Sequence, residues 1–370
     1  MFYPASAQAP ERKLKLFAEA VASSNRPGAD LFRDVTPETW EVALSRHRTD
    51  GPFAGFASGS GQSGYHSLML IEAQSAHVCR LSNGASVEYF VDEGAPEASG
   101  LLFYHHGTPA AGPMQQDLLL AARANNLQAV EVVRPGYGSS TRQVGRSVAD
   151  IVPLVVELAD HLGYETFATA GWSGGGPHAI ATLALAGGRC RAAMSLAGVA
   201  PYDAPGLTFL DGMGQENLDE FGVALAGGDE LAEYLAAQRE DLRAITGPDV
   251  ISALATLLPD VDRAFLTGER GREMATSLRW SVAQGIWGWF DDDVAFTKPW
   301  GFDLTAVDMP LTIYQGTEDL MVPPAHGRSR ARASRESPPV PCPPQPRKPV
   351  RTLTRAPASR VSDRCSCTVT

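Results

Sequence analysis

This 370-residue sequence has no long apolar run, no excess of basic residues and no histidine after position 326. No apolar run approaches the roughly 20 residues that a membrane-spanning helix needs, which argues against an integral membrane protein. The chain has 31 Lys and Arg against 42 Asp and Glu, a net charge of −11. This balance argues against nucleic acid or an anionic membrane as a partner. The N-terminus lacks the continuous apolar segment of a secretory signal, so the sequence predicts a cytoplasmic protein.

Cysteine is also scarce, with five residues in the chain. Cys79 and Cys190 lie far apart in apolar runs, and we expect both to be buried thiols. Cys365 and Cys367 form a CxC pair, but no further pair of ligands follows, and a structural zinc ion takes four. The sequence therefore predicts no metal site, and nothing in it implies an organic cofactor.

Composition divides the chain into three parts. Residues 1–76 are weakly patterned and contain a Gly- and Ser-rich stretch at 51–64, so we interpret them as an N-terminal extension with a linker. Residues 77–327 have the regular pattern of a folded domain. Residues 328–370 hold ten basic residues, two acidic residues and eight prolines, which predicts a basic, disordered tail.

Strand and helix patterns alternate within 77–327. Asn83 and Gly84 lie between two β-rich runs and predict a hairpin, because such turns need positive φ. Helical patterns separate four buried strand patterns: 101–107, 127–138, 165–172 and 190–201. This alternation predicts an α/β fold whose parallel sheet is covered on both faces. Residues 202–305 have helical patterns without strands, and a strand pattern returns at 310–319.

The most specific chemical signal is Gly171-Trp172-Ser173-Gly174-Gly175, a G-x-S-x-G match between a predicted strand and a predicted helix. A serine on so sharp a turn needs neighbours without Cβ atoms, so that its hydroxyl projects clear of the sheet. The positive end of the following helix would lie near developing negative charge. A phosphate-binding loop is the competing interpretation, but the segment lacks the lysine and the glycine spacing of such loops. Ser173 is therefore predicted to be a nucleophile.

A second loop, His106-Gly107-Thr108-Pro109, follows an earlier predicted strand. Acyl transfer needs hydrogen-bond donors aimed at the oxyanion, and the backbone N–H groups of Thr108 and Gly174 would supply two. We interpret His106 as a brace for the backbone and Gly107 as a supporting residue of the same loop. The neighbouring His105 is not predicted to be a base either.

A third loop, after the strand pattern at 310–319, supplies an acid. A carboxylate there would orient a histidine and stabilise its imidazolium form. Asp319 is the candidate, and Glu318 and Asp203 are the weaker alternatives.

Together these segments resemble the α/β-hydrolase family. The resemblance covers roughly residues 77–327 and rests on HHGTP, RPGYGSS, GWSGGG and GTEDLMVP, in the family's order. It implies an eight-stranded, mostly parallel sheet with a helical cap at about 202–305, inserted after strand six. It also implies a Ser, Asp, His order of catalytic residues, and hydrolysis of a small-molecule ester or amide through an acyl-enzyme at Ser173. Details of the cap look like a bacterial subgroup of general hydrolases, and Trp280, Trp287 and Trp289 would either shape an apolar pocket or pack in the core.

The resemblance fails at the histidine. The family's base follows the acid by a few tens of residues, yet no histidine follows His326, which comes only seven residues after Asp319. We expect His326 at the start of a surface helix and His178 turned away from Ser173, so neither is predicted to be the base. The last strand and the histidine loop are predicted to be absent, which would leave 310–319 with an exposed edge.

This failure coincides with the change of composition after Gly327. Arg-, Pro- and Ala-rich sequence is what a shifted reading frame in a GC-rich gene would produce, and the alternative is a genuine basic tail on an impaired relative. The sequence thus predicts a serine hydrolase with impaired activity. A pseudoenzyme that only binds small molecules is the alternative, and cofactor-free haloperoxidase, C–C hydrolase and aminopeptidase chemistry on the same fold also stay open.

Overall fold

The fold is known from a computed structural model, which describes residues 74–334 in full and the backbone of 335 and 359–361. The predicted extension before residue 74 and most of the predicted tail, including Cys342, Cys365 and Cys367, lie outside the described residues. Cys79 and Cys190 are buried free thiols, as predicted.

In the described part of the chain, one sheet of eight strands organises the fold. Its strands are β1 Gln74–Arg80, β2 Ser86–Asp92, β3 Gly100–His105, β4 Leu127–Val132, β5 Phe167–Trp172, β6 Cys190–Leu196, β7 Leu311–Tyr314 and β8 Ser359–Val361. Their spatial order is β1-β2-β4-β3-β5-β6-β7-β8. The predicted hairpin of β1 and β2 is antiparallel, as is the β2–β4 pair, and all other neighbours run parallel. The predicted α/β class with a mostly parallel sheet is confirmed.

The central strands bring three loops to one edge. Every residue of β3 and β7 is buried, because helices cover both faces of a parallel sheet. In register, Tyr104 of β3 pairs with Ala170 of β5, and His105 pairs with Gly171. The two strands therefore end side by side, and the segments that follow them meet at the carboxyl edge where α/β sheets carry their sites.

Three helices cover the sheet: α1 Gln116–Ala124, α2 Ile151–His161 and α3 Gly175–Leu185. The sheet separates two apolar cores. Leu118 and Leu119 of α1 belong to one core, whereas Leu158 of α2 and Ile180 of α3 belong to the other. Each helix buries an apolar face against the sheet, which is the main source of helix stability in a folded domain.

Residues 202–305 contain helices and turns but no strand. The helices are α4 Gln215–Ala226, α5 Gly228–Ala244, α6 Val250–Ala253, α7 Asp260–Phe265, α8 Gly268–Val282 and α9 Trp287–Phe296. Seven of the ten residues of α9 are buried, whereas in α5 only two of 17 residues are buried. None of the helices in the described part of the chain is long and apolar enough to cross a membrane.

The last helix, α10 Pro324–Arg335, crosses the composition change at Gly327. The sequence analysis ended the domain there and expected no helix beyond it. Alanine and arginine are good helix formers, so the Arg- and Ala-rich segment continues the helix without difficulty. Its Arg330, Ala331 and Ser334 are buried, so this helix is part of the packed domain.

The expectation that the last strand is absent is wrong. Three residues, Ser359–Val361, pair in parallel with Leu311–Ile313 of β7. Unpaired backbone groups along an apolar strand edge favour such pairing, and a short segment is enough to provide it. No histidine accompanies this strand, because none follows His326 in the sequence.

Candidate active site

Ser173 lies on the turn between β5 and α3 with φ at 52°. This left-handed backbone conformation is unfavourable for a residue that carries a Cβ atom. Two hydrogen bonds hold the turn: the Ser173 N–H donates to the Leu196 carbonyl at 2.9 Å, and the Gly176 N–H donates to the Ser173 carbonyl at 2.9 Å. Ser173 as a residue is partly exposed. The turn therefore places this serine at the carboxyl edge of the sheet.

Close backbone approach requires the glycines beside Ser173. A Cβ atom on Gly171 would lie 2.1 Å from the Gly175 carbonyl oxygen, and one on Gly175 would lie 2.0 Å from the His105 carbonyl oxygen. Neither contact can be relieved by moving a flexible side chain, because both involve backbone atoms. The motif thus allows the turn to sit directly against the end of β3.

The loop after β3 lies against this turn. A Cβ atom on Gly174 would be 2.2 Å from Thr108 Oγ1, so the two residues predicted to supply oxyanion donors are neighbours. His106 contacts backbone on both sides of its ring. Its Nε2 accepts the Arg134 N–H at 3.1 Å, and its Nδ1 donates to the Gly107 carbonyl at 2.8 Å. This neutral ring braces the loop and is not available as a base.

A buried ion pair underlies the same loop. Arg134 is fully buried and donates to the His106 carbonyl at 2.5 Å, the Gly107 carbonyl at 2.7 Å and Thr108 Oγ1 at 2.9 Å. Its Nε and Nη2 atoms also bind the fully buried Asp292 of α9, at 3.1 and 2.6 Å. One guanidinium group thus contacts three successive residues of the loop.

Asp292 collects donors from two loops. Besides Arg134, its carboxylate accepts hydrogen bonds from Thr108 Oγ1 at 2.7 Å, Tyr137 Oη at 2.9 Å and Arg146 Nη2 at 2.6 Å. Burial acts to raise the pKa of Asp292, but the two arginines outweigh burial and hold the pKa well below its ordinary value. The group stays ionised, and two cations with one anion leave a net positive charge beneath the loop.

Asp319 follows β7 and is buried, whereas Glu318 and Asp203 are exposed. Its Oδ1 accepts the N–H groups of Met321 and Val322 at 3.0 and 2.9 Å. Burial raises the pKa of this carboxyl. Because β6 separates β5 from β7, the ends of these two strands are about 10 Å apart. A third group must therefore bridge Asp319 and Ser173 if they are to act together.

Arg330 of α10 is fully buried behind the acid loop. Its Nη2 donates to Gln315 Oε1 at 3.2 Å, and its Nη1 donates to the Ser195 hydroxyl. Gln315 in turn donates to Asp319 Oδ2 at 3.0 Å, so it links the arginine to the acid. Burial lowers the pKa of Arg330 to about 9, against the opposing effect of Asp319. No sequence pattern pointed to this residue, which lies in the segment expected to be a tail.

Comparison with solved structures gives the fold a name. No protein-family model matches the sequence, and no curated protein matches it. An α/β-hydrolase fold protein from Chitinophaga pinensis aligns with a TM-score of 0.51 and 16% identity, over 71% of this chain and 86% of that one. The chain has the α/β-hydrolase fold. A hydrolase from Pseudomonas aeruginosa PA01 also aligns, with a TM-score of 0.46 and 20% identity over 70% of this chain and 86% of that one.

His326 does not provide the base of this α/β-hydrolase fold. Its Nδ1 accepts the Ala200 N–H at 3.1 Å, and its Nε2 donates to the Phe209 carbonyl at 2.8 Å. Burial lowers its pKa to about 4, so the ring is neutral near pH 7. The sequence analysis placed this histidine on a surface helix, but it is buried at the start of α10.

His105 and His178 stack beneath the turn that carries Ser173, with ring centroids 6.3 Å apart. His178 Nδ1 donates to the Gly174 carbonyl at 2.9 Å. Both rings are buried, and burial lowers the pKa of His105 to about 3 and that of His178 well below its ordinary value. Both are neutral side chains of the core. The histidines at 47 and 66 lie outside the described residues.

The three tryptophans of the predicted cap pack against other side chains instead of lining one shared pocket. Trp280 meets the edge of Phe90 at 5.3 Å, and the buried Trp289 donates its Nε1 proton to Glu220 Oε1 at 2.8 Å. Trp287 is 43% exposed. Packing is therefore the better of the two interpretations offered by the sequence.

Sequence reasoning missed Arg134, Arg146 and Asp292. A signal was present, because both Arg134 and the run Asp291–Asp293 interrupt apolar segments. Charged groups in segments that are bound to be buried need partners of opposite sign. Among the described residues, no group of three or more ligating side chains is arranged to hold a metal ion.

Proposed function

We propose that this chain is a serine hydrolase that cleaves a small-molecule ester or amide through an acyl-enzyme at Ser173, with turnover impaired because no histidine follows His326 to serve as the base. The observation that carries the proposal is the turn at Ser173. The turn combines a strained backbone, glycines that cannot bear a Cβ atom and a partly exposed serine, and such strain is typical of a functional residue.

In the proposed reaction, Ser173 Oγ attacks the substrate carbonyl carbon and the Oγ proton leaves to a base. Negative charge develops on the carbonyl oxygen. The Thr108 and Gly174 N–H groups would donate to it, and the N-terminal end of α3 adds a favourable potential. Collapse of the tetrahedral intermediate expels the alcohol or amine, and water then releases the acid. The proposal needs neither a metal nor an organic cofactor.

The expected impairment follows from the lack of a base to accept the Ser173 Oγ proton. An ordinary serine hydroxyl is a weak nucleophile unless an adjacent base takes its proton. His106 and His326 have both ring nitrogens bound to backbone groups, and His105 and His178 are buried and neutral. Loss of a triad member leaves a residual rate of about 10³–10⁴ over water, supplied by the oxyanion donors and substrate binding.

The engaged histidines also support a second candidate, a pseudoenzyme that binds a small molecule without turning it over. No contact distinguishes haloperoxidase, C–C hydrolase or aminopeptidase chemistry from ester hydrolysis. The compartment, predicted to be cytoplasmic, and the absence of nucleic-acid or membrane partners remain predictions from composition.

A fluorophosphonate probe tests the proposal on the full chain. We expect slow labelling that is abolished in Ser173→Ala and unchanged in Ser139→Ala, where an exposed serine outside the site is removed. Single alanine variants at histidines 47, 66, 105 and 178 then show whether one of them takes the proton. A folded sample in which Ser173 stays unlabelled at high probe concentration would contradict the hydrolase and favour the pseudoenzyme.

A further inference from the structure

The peptide unit between Gly107 and Thr108 is the part of the site held most firmly by side chains. Its carbonyl oxygen accepts two hydrogen bonds, from Arg134 Nη2 at 2.7 Å and His106 Nδ1 at 2.8 Å. A carbonyl oxygen has two lone pairs, so both acceptor positions are used. The direction of this carbonyl is therefore fixed on the side of the buried arginine.

Fixing that carbonyl fixes the Thr108 N–H as well. The C=O and N–H of one peptide unit lie in a plane, and in the trans form they point in opposite directions. With the Gly107 carbonyl held towards Arg134, the Thr108 N–H must point away from Arg134. Gly174 is a close neighbour of Thr108, because a Cβ atom built on Gly174 would lie 2.2 Å from Thr108 Oγ1. Arg134 thus sets the direction of a donor that it does not touch.

Arg134 is itself held by Asp292. Two of its nitrogens bind the carboxylate, and neither side chain is exposed to water. Arginine presents its donors in a rigid planar fork, so a two-point contact with a carboxylate fixes the plane of the guanidinium group. The same carboxylate also accepts a hydrogen bond from Thr108 Oγ1, which closes a ring of contacts around the loop.

We propose that Arg134 and Asp292 are positioning residues that aim the Thr108 N–H at the oxyanion. The role at the oxyanion rests on the proposed hydrolase function. The orientation of the Thr108 N–H does not depend on that function and can be measured without a substrate. Asp292 belongs to α9 and Arg134 to the segment after β4, so two elements outside the loop determine the geometry of the donor.

The direct test is the orientation of the Thr108 N–H, measured by residual dipolar coupling in the deuterated, ¹⁵N-labelled full chain. Arg134→Lys keeps the charge but removes the fork, and we expect the Thr108 coupling to change well beyond error. Arg123→Lys is the matched control, because Arg123 makes a similar two-point contact with the buried Asp92 far from the site. An unchanged Thr108 coupling in folded Arg134→Lys would overturn the proposal.

The wild-type chain provides a measurement that needs no variant to fold. A guanidinium group held at both ends rotates slowly about its Nε–Cζ bond, so we expect separate ¹⁵N resonances for Arg134 Nη1 and Nη2. A single averaged resonance would mean that the fork is free, and the proposal would be wrong whatever the variants show.

Phenylboronic acid forms a tetrahedral adduct with a serine hydroxyl. The affinity of this adduct therefore tests whether the orientation of the Thr108 N–H matters for the reaction. We expect an adduct in the wild type, none in Ser173→Ala, and a dissociation constant about tenfold or more higher in Arg134→Lys than in Arg123→Lys. Failure of the wild type to form an adduct would count against the proposed function alone. A normal adduct in Arg134→Lys, with the Thr108 N–H reoriented, would show that this donor does not serve the oxyanion.

Discussion

The two sides of the candidate site are built in different ways. On the nucleophile side, named for the proposed role of Ser173, backbone atoms approach Gly171 and Gly175 too closely for a Cβ atom, and the buried Arg134–Asp292 pair holds the Thr108 loop. On the acid side, Asp319 is held by its own loop and by Gln315. The first arrangement suits the proposed hydroxyl and two donors, whereas the second would equally stabilise a buried loop.

This difference coincides with the border of the segment that resembles α/β hydrolases. The nucleophile side lies wholly within the segment that resembles α/β hydrolases, and every predicted residue there reaches the carboxyl edge of the sheet. The acid side borders α10, which carries the change of composition, and there a buried Arg330 is linked to the acid through Gln315. The experiments below set one side against the other.

The largest effect is expected from restoring the acid side. If residues 328–370 are a shifted reading frame, another frame of the gene encodes a strand followed by a histidine, and a chain carrying that segment gains a base. We expect the rate of fluorophosphonate labelling at Ser173 to rise by about 10⁴-fold, the usual effect of a triad member. The frameshift would be contradicted if neither of the other two reading frames encodes such a histidine. It would also be contradicted if the probe labels the restored chain no faster.

A large loss of stability is expected on the nucleophile side from Asp292→Asn. The substitution leaves Arg134 and Arg146 buried without a full negative charge, which typically costs about 3–5 kcal/mol in unfolding free energy. Asp291→Asn is the matched control on the same helix. Its partner Arg142 is 27% exposed and can turn to water, so its loss should be smaller. Urea denaturation compares the two, and equal losses would mean that the cluster contributes no more than an ordinary ion pair.

Much of this site was predictable from the sequence, and the reason is local. The glycines around Ser173 and the alternation of strands and helices are short-range patterns, and they place Ser173, Thr108 and Gly174, the proposed nucleophile and oxyanion donors, at one edge of the sheet. The partnership of Arg134 with Asp292 joins residues 158 positions apart, and only the assembled fold shows which of the charges in apolar segments meet. Arg330 and the short strand β8 were beyond prediction, because arginine and serine there carry no apolar pattern.

Adding a methyl group to one glycine on each side is expected to produce a smaller difference in the free energy of unfolding. In Gly175→Ala the new Cβ atom would meet the His105 carbonyl oxygen at 2.0 Å, and backbone cannot yield, so we expect a loss of about 3 kcal/mol. In Gly198→Ala the nearest atoms would be Arg330 Nη1 at 2.6 Å and Ser195 Oγ at 2.8 Å, with the Gly176 Cα atom at 3.1 Å, and we expect a smaller loss of about 1–2 kcal/mol because the two closest contacts are with side-chain ends. Thermal unfolding would contradict this contrast if Gly198→Ala were as damaging.

A further effect is expected on the pH dependence of stability, and it arises from groups outside both sides. Burial raises the pKa of Glu220 to about 7, beside Asp293, whose pKa is also raised. The folded chain therefore keeps a proton that the unfolded chain has released, and stability falls as pH rises from about 4.5 through 7. Glu220→Gln should flatten this fall, whereas Asp219→Asn, which removes an exposed acid on the same helix, should leave it. Urea midpoints at pH 5, 6, 7 and 8 give the measurement, and an unflattened Glu220→Gln profile would exclude this origin.

The left-handed backbone at Ser173 has a consequence on the scale of evolution. A residue with a Cβ atom pays about 1–2 kcal/mol to adopt it, and glycine avoids that penalty. A lineage that no longer used the hydroxyl would become more stable through one substitution, Ser173→Gly, and nothing would oppose its spread. Serine at 173 is therefore kept at a cost in stability, which is what selection for its hydroxyl would produce.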